Sequence, residues 1–275
     1  MRNVLLGAII GDMCGKPYEF MRSRVENLND FDLITPESRF TDDTVCTIAI
    51  ADALIKSNAK FPNFKESLIT WCRRYPGAGY GKMFYKWFMS AELDRPEIYS
   101  YGNGSGMRVS SCGWSIYREK TLELAKLSTL PTHSHPEGIK GAQAIADCIW
   151  TANNNSSSDA KSEVLKVALD YYPEFDFNTP ISELRKDYTF DCTCQGSVPQ
   201  AIKCYLESNS YEDCIRKAIW LGGDTDTIAA MAGSIAFADY WFIPEYLVDA
   251  AKNNLPTEIM EVVESFDDFV TYEEW

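Results

Sequence analysis

The run Gly222-Gly223-Asp224-Thr225-Asp226-Thr227, continued by IAAMAGSIAFA from Ile228 to Ala238, begins as a polar turn and continues as an apolar segment. The two glycines permit positive φ or a close backbone approach. The hydroxyl and carboxylate residues after them suit a first helical turn, where they accept hydrogen bonds from free N–H groups and complement the helix dipole. Small and apolar residues follow without a charge, so the spacing predicts a helix over Thr227–Trp241 with a face that allows close packing.

The same grammar occurs far upstream. Phe40-Thr41-Asp42-Asp43-Thr44 opens a segment whose apolar positions Val45, Ile48, Ala49, Ala53 and Leu54 predict a helix over Asp42–Lys56. Helix capping explains one such cluster. If the small face of the downstream helix lets the two N-termini meet, the carboxylates of Asp42, Asp43, Asp224 and Asp226 converge. Like charges that close repel unless cations lie between them. Two divalent ions would balance four carboxylates, and oxygen donors without nearby His or Cys favour Mg2+, Mn2+ or Ca2+ over zinc. Spacing alone leaves capping and metal binding as open alternatives.

Further helices are expected over Val4–Cys14, Phe64–Arg74, Glu137–Trp150, Ala160–Tyr171, Val198–Glu207 and Tyr211–Leu221. Alternating strand-like runs are few and no βαβ rhythm appears, so the chain is expected to be all-α. Asn153–Asp159 reads as a polar spacer, and Tyr75–Gly81 and Tyr101–Gly106 as glycine-rich loops. No flexible linker or solenoid repeat divides the chain, so residues 1–275 are expected to form a single domain.

Composition narrows the function. The chain has 275 residues and a formal net charge of -14, which argues against general nucleic-acid binding. The acidic stretch Glu258–Glu274 reads as a solvated end. The nine cysteines are odd in number and scattered, and His133 and His135 are the only histidines, which argues against a zinc site or a disulfide framework. Reduced thiols point to a cytoplasmic protein. Asp12, Lys16 and Glu19 follow the short apolar start at once, and no apolar run is long enough to span a bilayer, so neither a targeting segment nor a membrane partner is expected. A monomer is the default expectation.

Five segments together resemble the ADP-ribosylglycohydrolase family: GAIIGDMCGKPYEF at Gly7–Phe20, FTDDT at Phe40–Thr44, YGNGSGMR at Tyr101–Arg108, SHPEGIKGAQAIA at Ser134–Ala146 and GGDTDTIAAMAGSIAFA at Gly222–Ala238. They run in the family's order. The resemblance implies an orthogonally packed, all-α helical bundle and a site for two Mg2+ or Mn2+ ions. It implies Thr41, Asp42 and Asp43 as one set of ligands and Asp224, Asp226 and Thr227 as the other, with Asp226 bridging. Glu19 matches a family position at the metals and the scissile bond, although alone it reads as a surface loop residue. Ser100, Tyr101, Gly102, Asn103, Gly104 and Ser105 match the loop that embraces ADP-ribose. Glycines at 102, 104 and 106 would leave backbone N–H groups free to reach phosphate oxygens, and Ser105 is a mild departure from the family's usual small residue. His135 matches a histidine near the ribose or diphosphate, His133 is left as structural, and Asp191–Val198 is the candidate for the adenine contact.

The implied reaction is hydrolysis at the anomeric carbon of the distal ribose, freeing ADP-ribose from a protein or small-molecule acceptor. Glu19, Asp224 and Asp42 are the candidate catalytic carboxylates. The acceptor pocket is expected from the loops Met21–Ser38 and Arg73–Gly81. Two rival readings remain: a catalytically inactive ADP-ribose-binding or crystallin-like structural protein, and a two-metal ADP-ribose pyrophosphatase. The Glu-dense helix of Nudix enzymes is absent.

Overall fold

Glycines at a four-residue spacing, Gly7, Gly11 and Gly15, line one side of the first helix, α1 (Leu6–Gly15), and set the central contact of the fold. In the computed structural model, which describes residues 2–20, 25–91 and 95–275, α1 lies against α11 (Thr225–Tyr240). A Cβ added at Gly7 would stand 2.6 Å from Phe237 Cβ, one at Gly11 2.2 Å from the Ala229 carbonyl oxygen, and one at Gly15 2.4 Å from the Thr225 carbonyl oxygen. The order of these contacts makes the pair antiparallel, with backbone touching backbone. Every residue of α1 is buried, as is Thr225–Asp239 of α11, so this pair is the centre of the molecule. The small face of α11 was expected to bring it toward the other acidic helix. Its long contact is with α1, whose glycine stripe admits the close approach, while its first turn does meet that of the other acidic helix through Thr227 and Asp43.

Among the described residues the chain forms thirteen α-helices and no strand, apart from an isolated bridge between Gly102 and Thr193. It is all-α, as its sequence predicts. The helices expected from periodicity are α1, α2 (Asp42–Ser57), α3 (Phe64–Arg74), α6 (Pro136–Asn154), α7 (Ala160–Tyr171), α9 (Cys194–Glu207), α10 (Tyr211–Leu221) and α11, with ends shifted by a few residues. Five more appear: α4 (Lys82–Met89), α5 (Arg118–Thr129), α8 (Ile181–Asp187), α12 (Glu245–Asn254) and α13 (Thr257–Tyr272). No helix among the described residues is long and apolar enough to cross a membrane.

The acidic stretch near the C-terminus is therefore not a solvated tail. Helix α13 buries Ile259, Val263, Phe266 and Phe269 on one face and keeps its glutamates on the other. Asp267, also buried, accepts the backbone N–H groups of Asn3 at 2.7 Å and Val4 at 3.0 Å. It thereby satisfies donors just ahead of α1 that no helical carbonyl can reach.

Candidate functional site

The antiparallel α1–α11 pair places the end of α1 beside the start of α11. Gly222 (φ 89°) and Gly223 (φ 81°) both adopt the positive φ that the turn before α11 requires. Asp12, near the end of α1, reaches across to α2. One of its oxygens accepts the Thr41 hydroxyl at 2.8 Å. The other accepts the backbone N–H of Thr41 at 2.8 Å, that of Thr44 at 3.2 Å, and the Thr44 hydroxyl. Asp12 thus holds the first turn of α2 against α1. The end of α1, the start of α2 and the start of α11 meet at one place.

There the carboxylates converge. Oxygens of Glu19, Asp224 and Asp226 lie within 4.8 Å of one another, and so do oxygens of Asp12, Asp43 and Asp226. Asp226 belongs to both groups. The Thr227 hydroxyl donates to Asp43 Oδ2 at 3.3 Å, joining α11 to α2. The Thr41 hydroxyl oxygen accepts the Asp43 N–H at 3.2 Å, which is the helix cap the sequence allowed. Capping does not account for Asp224. Its side chain makes no cap bond to α11 and instead accepts from Asn103 Nδ2 at 2.8 Å.

Crowding of negative charge in a buried place disfavours ionisation. Burial and Asp226 push Asp12 up to about 7. Burial, Asp12 and Asp226 push Asp42 up to about 7. Asp43 and Asp224 rise well above the carboxylate range, chiefly through burial, with neighbouring aspartates adding to it. Glu19 rises for the same reasons, with Lys16 opposing. Asp43 Oδ1 is buried without a hydrogen-bond partner. An unpartnered buried carboxylate oxygen among like charges fits a hard divalent cation, and these all-oxygen groups suit Mg2+ or Mn2+. Asp12 is geometrically close, but its oxygens already accept hydrogen bonds from Thr41 and Thr44, so its part is to position α2.

The cluster forms the floor of a cleft of about 390 Å³, which Glu19, Asp42, Asp43, Asp224, Asp226 and Thr227 line. One wall comes from the loop after α3. The Asp42 N–H donates to the Ala78 carbonyl at 3.0 Å, and a Cβ at Gly79 would stand 3.2 Å from Asp42 Oδ1. Lys82, Met83 and Phe84 extend this wall. The Arg73–Gly81 loop therefore borders the cleft; of Met21–Ser38, residues 21–24 lie outside the described residues. A larger cleft, about 610 Å³, lies near Phe61, Lys65 and Leu127 and contains none of the clustered carboxylates.

The opposite wall is the glycine loop. Ser100, Gly102, Asn103 and Gly104 line the cleft. Tyr101, Ser105 and His135 are not among its lining residues. Tyr101 is half-exposed and its ring lies 5.3 Å from that of His135. The Ser105 hydroxyl is buried and donates to the Gly138 carbonyl at 2.8 Å. His135 caps α6, its Nδ1 accepting the Glu137 N–H at 3.0 Å. The backbone N–H groups of the loop are also more committed than expected: that of Gly102 goes to Ser100 Oγ and that of Gly106 to the Asn103 carbonyl. Missing side chains at Gly102 and Gly104 make room instead for His133, whose Nε2 would lie 2.9 Å from a Cβ at Gly104.

His133 lines the cleft, where a purely structural residue was expected. Arg108, fully buried, donates to the Ser128 carbonyl and to Thr132 Oγ1, both at 2.9 Å. Thr132 Oγ1 lies 2.9 Å from His133 Nδ1. Since Arg108 can only donate, the buried Thr132 hydroxyl satisfies its own proton by donating to Nδ1. That assigns the ring proton to Nε2, on the side of the glycine loop. Burial and the Arg108 charge lower the His133 pKa well below its usual value, so the ring is neutral. Asp12 could have been suspected from sequence as a lone carboxylate on an otherwise apolar helix. Cys192, which also lines the cleft, falls within the Asp191–Val198 segment expected near the adenine, whereas Phe190 carries no such signal.

A helical protein with a carboxylate-floored cleft between a glycine loop and a second loop is the class that fold and site define. The sequence pattern of ADP-ribosylglycohydrolase matches residues 1–273, and the chain belongs to that family. It is 27% identical to ADP-ribosylhydrolase ARH3 of Mus musculus, over 94% of this chain and 89% of that one. It is 26% identical to ADP-ribosylarginine hydrolase Tri1 of Pseudomonas putida, over 87% of this chain and 70% of that one. A solved chain described as an ADP-ribosylglycohydrolase-related protein complex shares the fold, with a TM-score of 0.67 and 20% identity over 99% of this chain and 97% of that chain.

Proposed function

We propose that this chain is a dinuclear-metal hydrolase that frees ADP-ribose from an ADP-ribosylated acceptor by cleaving the glycosidic bond at the distal ribose. The observation that carries this reading is the pair of carboxylate groups sharing Asp226 on the cleft floor, with Asp43 Oδ1 buried and unpartnered beside them. Its membership of the family, and its likeness to relatives named as ADP-ribosyl hydrolases, support the chemistry.

Asp42, Asp43, Asp224, Asp226 and Thr227, with Glu19 at the edge, would hold two Mg2+ or Mn2+ ions. Such ions supply Lewis acidity toward sugar hydroxyls and water. The chain's own residues do the rest. Glu19 faces the cleft, where its carboxylate could take a proton from water and release it to the leaving group. Asn103 fixes Asp224 and with it the orientation of the cluster. Gly102 and Gly104 make room for His133 beside the loop, and its Nε2–H offers a neutral donor to ADP-ribose in the cleft. The wall from Gly79 to Phe84 borders Asp42 and would face the acceptor.

The test is product analysis on arginine-linked and serine-linked ADP-ribosyl peptides. Free ADP-ribose should appear with Mg2+ or Mn2+, vanish with EDTA and return on adding the metal. AMP with ribose phosphate would indicate a pyrophosphatase, and tight ADP-ribose binding without turnover an inactive binding protein. Asp226→Asn should abolish turnover.

A further inference from the structure

Among the described residues, Lys16 supplies the only ion pairs to the carboxylate cluster. Its ammonium pairs with Glu19 and lies 3.3 Å from Asp226 Oδ2. The backbone that carries it is pinned. Gly15 abuts the Thr225 carbonyl and the Asp226 backbone, and Lys16 itself opens the 3-10 turn Lys16–Tyr18 with Pro17 next. The side chain is 20% exposed and those of its partners are 16% and 6% exposed, so water screens the pairs only in part. The two carboxylate groups are therefore electrostatically unequal. The group of Glu19, Asp224 and Asp226 holds a tethered positive charge. Asp226 is shared, but of the residues particular to one group only Glu19 pairs with the ammonium, whereas Asp12 and Asp43 make no ion pair among the described residues and Asp43 keeps an unpartnered oxygen.

We propose that Lys16 is a positioning residue that makes the two metal positions unequal in affinity: the position beside Asp43 fills first, and the position beside Glu19 fills second and more weakly, against the Lys16 ammonium. The inference rests on the dinuclear reading above. A dication entering the second group must displace the ammonium from Glu19 and Asp226 or sit beside it, and either route costs affinity. Coupling of this kind would leave the second position loaded chiefly when a substrate adds ligands of its own.

The experiment is calorimetric and EPR titration of the metal-free protein with Mn2+, without substrate, on the wild type, Lys16→Met, Lys16→Gln and Lys16→Arg. The wild type should bind two Mn2+ with affinities about 10-fold or more apart. Lys16→Met and Lys16→Gln should tighten the second binding about 10-fold and leave the first within about twofold, while Lys16→Arg restores the wild-type spread. Circular dichroism establishes which of the two neutral variants keeps its fold. Equal affinities in the wild type, or a second affinity unchanged or weakened in the folded neutral variant, overturns the role of Lys16 and leaves the dinuclear site standing. Failure of the wild type to bind any Mn2+ removes both.

Discussion

Asn103 Nδ2 donates to Asp224 Oδ2 at 2.8 Å across a separation of 121 residues, and this bond ties the glycine loop to the acidic cluster. The loop is held on its other side by the Cys192 carbonyl, which accepts the Asn103 N–H at 2.8 Å. One residue thus links the glycine loop and the Cys192 segment to the carboxylate that precedes α11. Removing the amide frees Asp224 to turn and cuts the loop's tie to the cluster, while the backbone bond to Cys192 remains.

Asn103→Ala should therefore lower kcat/KM for an ADP-ribosylated peptide by about 10- to 100-fold and weaken Mn2+ binding, as loss of a ligand-orienting partner does at other metal sites. Steady-state kinetics beside Mn2+ calorimetry checks this. Values within twofold of wild type in both would show that the bond is incidental.

The raised carboxylates fix the sign of the pH response. Asp12 and Asp42 move from 3.8 to about 7, so the folded, metal-free chain holds their protons more tightly than the unfolded chain does. Their stabilisation is complete below the unfolded value and is lost as pH rises through the folded one. In EDTA, the Tm should fall as pH is raised from about 5 to about 7.5. Saturating Mg2+ should remove most of that fall, because the cation takes the place of the protons. A scan of Tm against pH in the two buffers measures it. Parallel curves would place the cations elsewhere.

The acidic motifs were legible because their chemistry is local. Thr41 caps its own helix, and the glycines before Asp224 adopt the φ their residue type suggests. The partner of α11 was not legible, because the stripe of Gly7, Gly11 and Gly15 acquires meaning only when another backbone lies on it. Helix α13 was hidden by composition: its three glutamates and two aspartates outnumber the four apolar residues it buries, yet Ile259, Val263, Phe266 and Phe269 share the buried side. The two histidines could have been separated. Pro136 opens α6, which leaves His135 as the capping residue and so occupies its ring. Nothing local in the sequence shows that the glycine loop packs against His133.

The α1–α11 contact sets the site as well as the core. A methyl group at residue 11 would lie 2.2 Å from the Ala229 carbonyl oxygen, and the backbone of neither helix can yield without moving Asp12 or Asp226. Gly11→Ala should cost roughly 1–3 kcal/mol or more by overpacking and weaken Mn2+ binding too. Chemical denaturation and calorimetry read the two effects. Gly77, where a Cβ meets nothing within 4 Å, is the matched control, and Gly77→Ala should change neither.

Arg108, Thr132 and His133 form a chain whose polarity follows from its first member. The guanidinium has no acceptor, so Thr132 Oγ1 accepts from it and spends its proton on His133 Nδ1. Thr132→Val keeps the shape of the side chain and removes the hydroxyl. Arg108 then retains the Ser128 carbonyl, while His133 loses the bond that selects its tautomer. The 15N shifts of the His133 ring should move from a single Nε2–H form in the wild type to a mixture in the variant. KM should rise by the inverse of the remaining Nε2–H fraction, about twofold for an even mixture, with little change in kcat, since His133 would contact the ADP-ribose rather than the reacting carbon. Thr132→Ser, which keeps a hydroxyl, should restore both the spectrum and KM. An Nδ1–H ring in the wild type would reverse the chain and remove His133 as the donor facing the cleft.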